Sequence, residues 1–223
     1  MCARVSSEKR DQYLQDRREA ILDAAIDVFG SKGFPGSTVE EIARAAQITK
    51  GTVYLYFASK EEILASILAE RSDLPHLGEI TLDPNAPIRD TLTQFARRFL
   101  ELEMEHLAVF RLSLSEAYRV PSYGEQLYVG TLSAWHRLLA RYLETQAAAG
   151  RIDFLPDATL TARAFTAMLI GYILAQHILG GERINPIDPE SWIARQVAIF
   201  LDGIGRMRGY GDSPQSDPIA RPS

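Results

Sequence analysis

Between residues 50 and 60 the chain places Lys50, Thr52, Tyr54, Tyr56 and Lys60 in the run KGTVYLYFASK. Two ammonium groups and three hydroxyls can donate to phosphate oxygens and to acceptors on nucleic-acid base edges. Gly51, among them, has no side chain and lets the backbone come close to such a partner. A single exposed lysine or tyrosine says little, because such residues are mostly solvated surface. The whole set at this spacing is much harder to explain that way.

Other chemistry is poorly supported. There is no glycine-rich phosphate loop, no metal-spaced Cys/His pair and no nucleophile elbow. His76, His106, His136 and His177 are scattered along the chain and read as surface or satisfied core residues. No metal and no cofactor are therefore expected, and an enzyme is not.

The donors must be held by short helices. Thr38, with Glu41 three residues on, forms a capping box that starts one helix. Val39, Ile42, Ala43 and Ala46 then share a face. Gln47-Ile48-Thr49 is a turn, and Thr49 caps a second helix whose Val53 and Phe57 point inward. Ser59 and Glu62 read as a second capping box, opening a third helix with Ile63, Leu64, Ile67 and Leu68 on one side. Upstream, Arg17 to Phe29 reads as a bracing helix ended by Gly33, with a polar, frayed arm before it from Met1 to Gln12. Arg17 and Arg18 sit at its outer end, where a nucleic-acid backbone would pass. Two short helices across a tight turn form a helix-turn-helix, and the second suits a major groove.

Thr38-Val39, Ile42-Ala43, Thr49-Lys50-Gly51-Thr52-Val53-Tyr54-x-Tyr56-Phe57 and Ser59-Lys60-Glu61-Glu62 resemble the DNA-binding domain of the tetracycline-repressor (TetR) family. Phe29, Gly33, Phe34 and Thr38 fit the same pattern. The resemblance covers roughly Arg17 to Ile67. It implies a dimeric, ligand-responsive transcriptional regulator, usually a repressor. By position it implies phosphate contacts from Thr38, Tyr54, Tyr56 and Lys60, and base or phosphate contacts from Thr49, Lys50, Gly51 and Thr52. Gln47 departs from the family, which usually has glycine there; a left-handed residue at that point costs Gln roughly 1–2 kcal/mol.

The charge is compatible with a DNA-binding end. The net charge of −5 is unevenly spread: residues 1–60 hold nine Lys+Arg and eight Asp+Glu, whereas the remainder holds 15 and 21. The acidity thus lies outside the donor-bearing part. The single cysteine, Cys2, excludes an internal disulfide framework and fits a reducing compartment. No apolar run reaches the ~18 residues of a membrane span, and MCARVSSEKRDQY has no apolar signal core. A cytoplasmic protein with no membrane partner is expected.

Beyond Pro87 the period is helical to about Gly205. Ile88, Leu92, Phe95, Phe99 and Leu102 form one stripe, and Leu107, Phe110, Leu114, Ala117 and Tyr118 another. Tyr128, Leu132, Trp135, Leu139, Tyr142 and Leu143 form a third. Phe99, Phe110, Tyr118, Trp135, Met168 and Tyr172 are candidates to line an effector pocket, with Gln176 or Arg111 as polar anchors; the alternative is ordinary core. Ala158 to Leu179 is apolar all round, which fits burial on both sides. Ala164, Ala167, Gly171, Ala175 and Ile178, with Trp192, Val197, Phe200 and Leu201 of the last helix, are the candidate dimer interface.

The expected fold is all-α: a helix-turn-helix domain over 1–72, an effector and dimerisation bundle over 73–208, and a disordered tail over 209–223. The expected function is sequence-specific binding of double-stranded DNA, as a homodimer at a palindromic operator, released by an apolar or amphipathic small molecule. A helical adaptor using the helix-turn-helix for protein contact is the alternative. Its contact face would be more apolar than the Lys50/Thr52/Tyr54/Tyr56/Lys60 set.

Overall fold

The computed structural model describes residues 2–71, 80–152, 155 and 157–206. Every element among them is helical: α1 (Cys2–Lys32), α2 (Val39–Ala45), α3 (Lys50–Tyr54), α4 (Lys60–Glu70), α5 (Ile88–Glu105), α6 (Leu107–Arg119), α7 (Pro121–Leu127), α8 (Ser133–Ala148), α9 (Ala158–Ile173), α10 (Gly181–Ile184) and α11 (Pro189–Arg206). A π-helical turn over Tyr128–Leu132 joins α7 to α8, and another over Leu174–Ile178 extends α9. By compactness the chain forms two units. The first is Met1–Ile80 with Phe99–Trp135, the second Thr81–Arg98 with His136–Ser223. The expected boundary at 72/73 and the expected tail at 209–223 lie outside the described residues. The first unit also takes in 99–135, which a linear division does not foresee.

α1 is longer than its apolar stripe suggests. It starts at Cys2 rather than Arg17, so the stretch expected to be frayed is helical. No Gly or Pro interrupts residues 3–29, and polar neighbours one turn apart support one another: Gln12 Nε2 donates to Asp16 at 2.7 Å and Gln15 Nε2 to Glu19 at 3.0 Å. Gly33, with φ 74°, closes the helix by donating its N–H to Phe29 O. Arg18 is not left free for a DNA backbone. It forms a two-pronged pair with Glu70 of α4, and its guanidinium lies 5.0 Å from the Phe57 ring centre.

The caps of α2 and α3 form as their residues dictate. Thr38 Oγ1 accepts from Glu41 N, and the Glu41 carboxylate accepts from Thr38 N at 3.0 Å. Thr49 Oγ1 accepts from Thr52 N at 3.1 Å. Ser59 caps α4 by accepting from Glu62 N, but the Glu62 carboxylate takes the N–H of Ala58, one residue before the cap, so this is not the reciprocal box expected. Gln47 is the single non-glycine residue with positive φ among those described, at 56°. The turn does need a left-handed residue there, because the chain must reverse before Ile48 N reaches back to Ala43 O at 2.9 Å.

α2 and α3 hold seven and five residues, too few to be stable alone. A shared core holds them. Ile21, Leu22 and Phe29 of α1, Ile42 of α2, Val53 of α3, Phe57, and Ile63, Leu64 and Ile67 of α4 are all essentially buried. Val109 and Leu112 of α6 belong to the same cluster. The buried face of α6 is Val109, Phe110, Leu112, Ser113 and Glu116, whereas the expected stripe through Leu114 and Tyr118 is a different register.

In the second unit, Phe95, Phe165 and Phe200 stack in series, with ring centres 6.1 Å and 4.7 Å apart. Arg97 grips Glu190 with two bonds of 2.8 and 2.6 Å, tying the first part of α5 to α11. The segment Ala158–Ile178 is long and apolar enough to cross a membrane by length and composition, with a mean hydropathy of 1.4. The expectation that no stretch reaches that length is corrected accordingly. Its inward side packs through Phe165, Leu169 and Ile173, each fully buried.

Gln47→Gly should raise thermal stability, by up to about 1 kcal/mol, because the ~1–2 kcal/mol of left-handed strain exceeds the extra chain entropy of glycine. Thermal unfolding checks this, and a lower melting temperature would show that the glutamine side chain supports the turn.

Candidate nucleic-acid interface

The donor face comes from three helix starts. Thr38 stands at the cap of α2, Thr49 at the cap of α3, and Lys60 opens α4. Thr38, Thr49, Lys50, Gly51 and Tyr54 are exposed, while Thr52, Tyr56 and Lys60 are half-buried. Tyr56 packs against the shared core, so only part of that side chain is presented. The Thr49 and Thr52 hydroxyls lie 2.8 Å apart and bond to each other, which fixes both at the start of α3.

The two ammonium groups are held very differently. Lys60 Nζ donates to Phe34 O at 2.7 Å and Ser37 O at 3.0 Å, and sits 4.4 Å from the Phe34 ring centre. It therefore clamps the α1–α2 loop onto α4, with one hydrogen left for an outside acceptor. Lys50 Nζ pairs with Glu40 of α2 and lies 5.7 Å from the Tyr54 ring centre. The hydrogen bond that Lys50 donates to Glu40 raises the Lys50 ammonium above the usual lysine value, and the same bond lowers the Glu40 carboxyl. Sequence reasoning missed Glu40. The available signal was an exposed acid in the first turn of α2 with no capping duty, since Glu41 performs that.

Glu41 is lowered first by its bond from Lys32 and then by the backbone N–H of Thr38. Glu70 is lowered by its bond from Arg18. A carboxyl depressed in the folded state adds stability above its unfolded value, and that contribution disappears as pH falls through the folded value.

The residues expected to line a pocket are divided between the two units. Phe99 and Trp135 pack together in the first unit, ring centres 4.7 Å apart, and Phe110 is buried on the inner side of α6. Tyr118 is 94% exposed and lines no enclosed space, because the buried side of α6 runs through Ser113 and Glu116 instead. Met168 and Tyr172 belong to the second unit. There they border a cleft of about 290 Å³ with Gly171, Ala175, Gln176 and Trp192. Gln176 Oε1 accepts from Ile187 N at 3.2 Å and Tyr172 donates to Ile187 O at 3.0 Å, so that oxygen and that O–H are already used. Arg111 is exposed on α6. The first unit has its own cleft of about 530 Å³, walled by Leu68 and Ala69 of α4, Ser113 of α6, Tyr123 and Leu127 of α7, and the π turn at Val129–Thr131.

Of the expected interface residues, Ala164, Ala167, Gly171 and Ala175 are exposed or half-buried along one side of α9, and Ile178, Trp192 and Leu201 are half-buried. Val197 and Phe200 are buried within their own unit and face inward. Leu160 and Ile199, 59% and 53% exposed, stand on the outer face instead. With Ala164, Met168 and Gly203 they border an apolar groove of about 550 Å³.

Comparison with known proteins gives a consistent result. The family model of bacterial regulatory proteins, tetR family, matches residues 21–67. The model of the AefR-like transcriptional repressor C-terminal domain matches residues 90–203. An uncharacterized HTH-type transcriptional regulator of Bacillus subtilis (strain 168), YvkB, is 25% identical over 195 residues, 86% of this chain and 98% of that protein. One from Pseudomonas putida, TtgW, is 39% identical over 74 residues, and the match spans about half of it, 53%, and 33% of this chain. A crystal structure assigned to the TetR family, from Mesorhizobium loti, superposes with a TM-score of 0.70 at 27% identity, covering 85% of this chain and 96% of the other.

Two outcomes follow from these contacts. Lys60→Met strips a charged donor from two loop carbonyls and should cost about 1.5–3 kcal/mol of stability. A loss below about 0.5 kcal/mol in denaturant unfolding would show that the clamp is idle. In thermal unfolding against pH, the melting temperature should drop as pH falls below the ordinary glutamate value of about 4.3. Glu41→Gln should flatten that drop, and an unchanged slope would mean that the charged bonds from Lys32 and the Thr38 N–H add no stability.

Proposed function

This chain belongs to the TetR family of bacterial transcriptional regulators, and on that premise we propose that it is a homodimeric repressor, released from a palindromic operator by an apolar or amphipathic small molecule. It is a DNA-binding regulator rather than an enzyme. The observation that carries the finer reading is the polar, largely exposed donor face of α3, set on a core that fixes its position. Leu55 is the large apolar side chain exposed there, at 82%. A protein-contact face would need more apolar surface.

The dimer reading rests on the outer side of α9. Ala164, Ala167, Gly171 and Ala175, flanked by exposed Leu160 and Ile199, present an apolar surface whose small residues allow a second helix to approach closely. A second copy of the chain covers it, by this reading. Two recognition helices then enter successive major grooves when they stand about 34–36 Å apart.

The effector reading moves from the six residues named by the sequence to the cleft in the first unit. That cleft has apolar walls interrupted by Ser122, Tyr123 and Thr131, with the Ser113 hydroxyl already donating to Val109 O, which suits an amphipathic molecule. Leu68 and Ala69 belong to α4, and both Leu68 and Tyr123 pack on the core that holds α3. An occupant that favours another placement of α4 therefore acts on the DNA-reading helix. Switching occupancy from 1:99 to 99:1 needs a preference of about 10⁴-fold for that state. The protein works in whichever compartment holds the DNA, which for this reading is the cytoplasm.

Gel retardation on the DNA flanking its own gene, at two salt concentrations and with excess unrelated competitor, tests the reading. Specific, salt-sensitive retardation is expected. Tyr54→Ala should weaken binding to all sequences alike, whereas Lys50→Ala should relax preference at particular bases. Binding no better than to competitor, with a genome-wide selection also yielding no preferred site, would overturn it.

A further inference from the structure

Lys50 is the one ammonium on α3, and it reaches its partner carboxylate before it reaches any DNA. Its Nζ donates to Glu40 Oε1, across the gap between α3 and α2, and the two side chains are 46% and 52% exposed. An ion pair this exposed adds little to stability. The capping of α2 does not involve Glu40: Thr38 and Glu41 perform it, and Glu41 is also the partner of Lys32. The other donors at the start of α3, Thr49 and Thr52, are uncharged, and Lys60 is committed to two loop carbonyls. The local charge that a recognition face of this kind would use on phosphate is thus largely cancelled by Glu40, whose other role is the modest one of an exposed acid in the first turn of α2.

A carboxylate beside the ammonium discriminates between acceptors. When Lys50 approaches a phosphate, Glu40 is carried toward an anion and is repelled by it. When Lys50 approaches a guanine edge, the O6 and N7 acceptors are neutral and Glu40 meets no such repulsion. The ammonium has three hydrogens, so it can keep Glu40 and still donate to the base. Non-specific binding is made almost wholly of phosphate contacts, so the pair weakens it selectively.

Taking the DNA-binding reading of this face as given, we propose that Glu40 is a specificity-determining residue: it withholds the Lys50 ammonium from phosphates and leaves it available to a base edge at the operator. The carboxylate acts through the lysine, so its effect depends on Lys50 being present.

The test is binding to operator and to unrelated duplex, over a salt series, by wild type, Glu40→Gln, Lys50→Ala and the double variant. Asp27→Asn, which removes an exposed acid from α1, controls for net charge. Glu40→Gln should bind unrelated duplex more tightly, with a salt slope steeper by about one ion. Its ratio of operator to unrelated affinity should fall about tenfold, the scale of one base contact. In the Lys50→Ala background, Glu40→Gln should change neither the slope nor the ratio. Thermal unfolding should be nearly unchanged in Glu40→Gln, since the pair is exposed. The proposal is overturned if Glu40→Gln strengthens both kinds of binding by one factor, as Asp27→Asn would, or if its effect persists without Lys50. A wild type that prefers no site at all would instead overturn the DNA-binding reading beneath it.

Discussion

Burial of α3 decides everything else in the first unit. A helix of five residues has no stability of its own, so its orientation is whatever its neighbours impose. Val53, fully buried, and Phe57, 2% exposed, anchor it in a cluster supplied by α1, α2, α4 and α6. The exposed residues beside those anchors, Lys50, Gly51 and Tyr54, therefore inherit a fixed direction. Hydrophobic burial is non-directional, and the caps, the Lys60 clamp and the Arg18–Glu70 pair supply the directions that it lacks. The left-handed Gln47 is tolerated because the same core over-determines the turn around it.

The inclusion of α6 in that cluster connects the DNA-reading helix to the rest of the first unit. Val109 and Leu112 pack where Ile63 and Ile67 of α4 also pack. The cleft beside them shares Leu68 and Tyr123 with the periphery of the core. A close-packed core responds to a displaced wall by moving elements together rather than by deforming locally. If the cleft holds the effector, as proposed, the route from it to α3 is short and needs no separate relay.

What the sequence made legible was whatever local chemistry decides. The caps at Thr38, Thr49 and Ser59, the left-handed site at Gln47 and the inward pair Val53 and Phe57 all follow from interactions within a few residues. The long-range features were less readable. The register of α6 was missed because two polar residues, Ser113 and Glu116, lie on its buried side, and a count of apolar residues chose the wrong face. α1 was read as short because the residues before Arg17 are mostly polar; those from Lys9 to Asp16 are exposed. On α11 an apolar stripe suits burial against its own unit or against a partner, so sequence alone did not show that Val197 and Phe200 face inward. The Lys50–Glu40 pair joins two helices; an acid without capping duty at Glu40 was visible in α2, but its partner was not.

A methylation-protection footprint on the operator tests the central claim most directly. The recognition helices of a dimer held in this way should protect two clusters of major-groove guanines about one helical turn, 10–10.5 base pairs, apart. Protection should weaken at those guanines in Lys50→Ala, while ethylation interference at the flanking phosphates should persist. Uniform protection, or protection confined to the minor groove, would contradict the account, because α3 could not then be the element that reads the sequence.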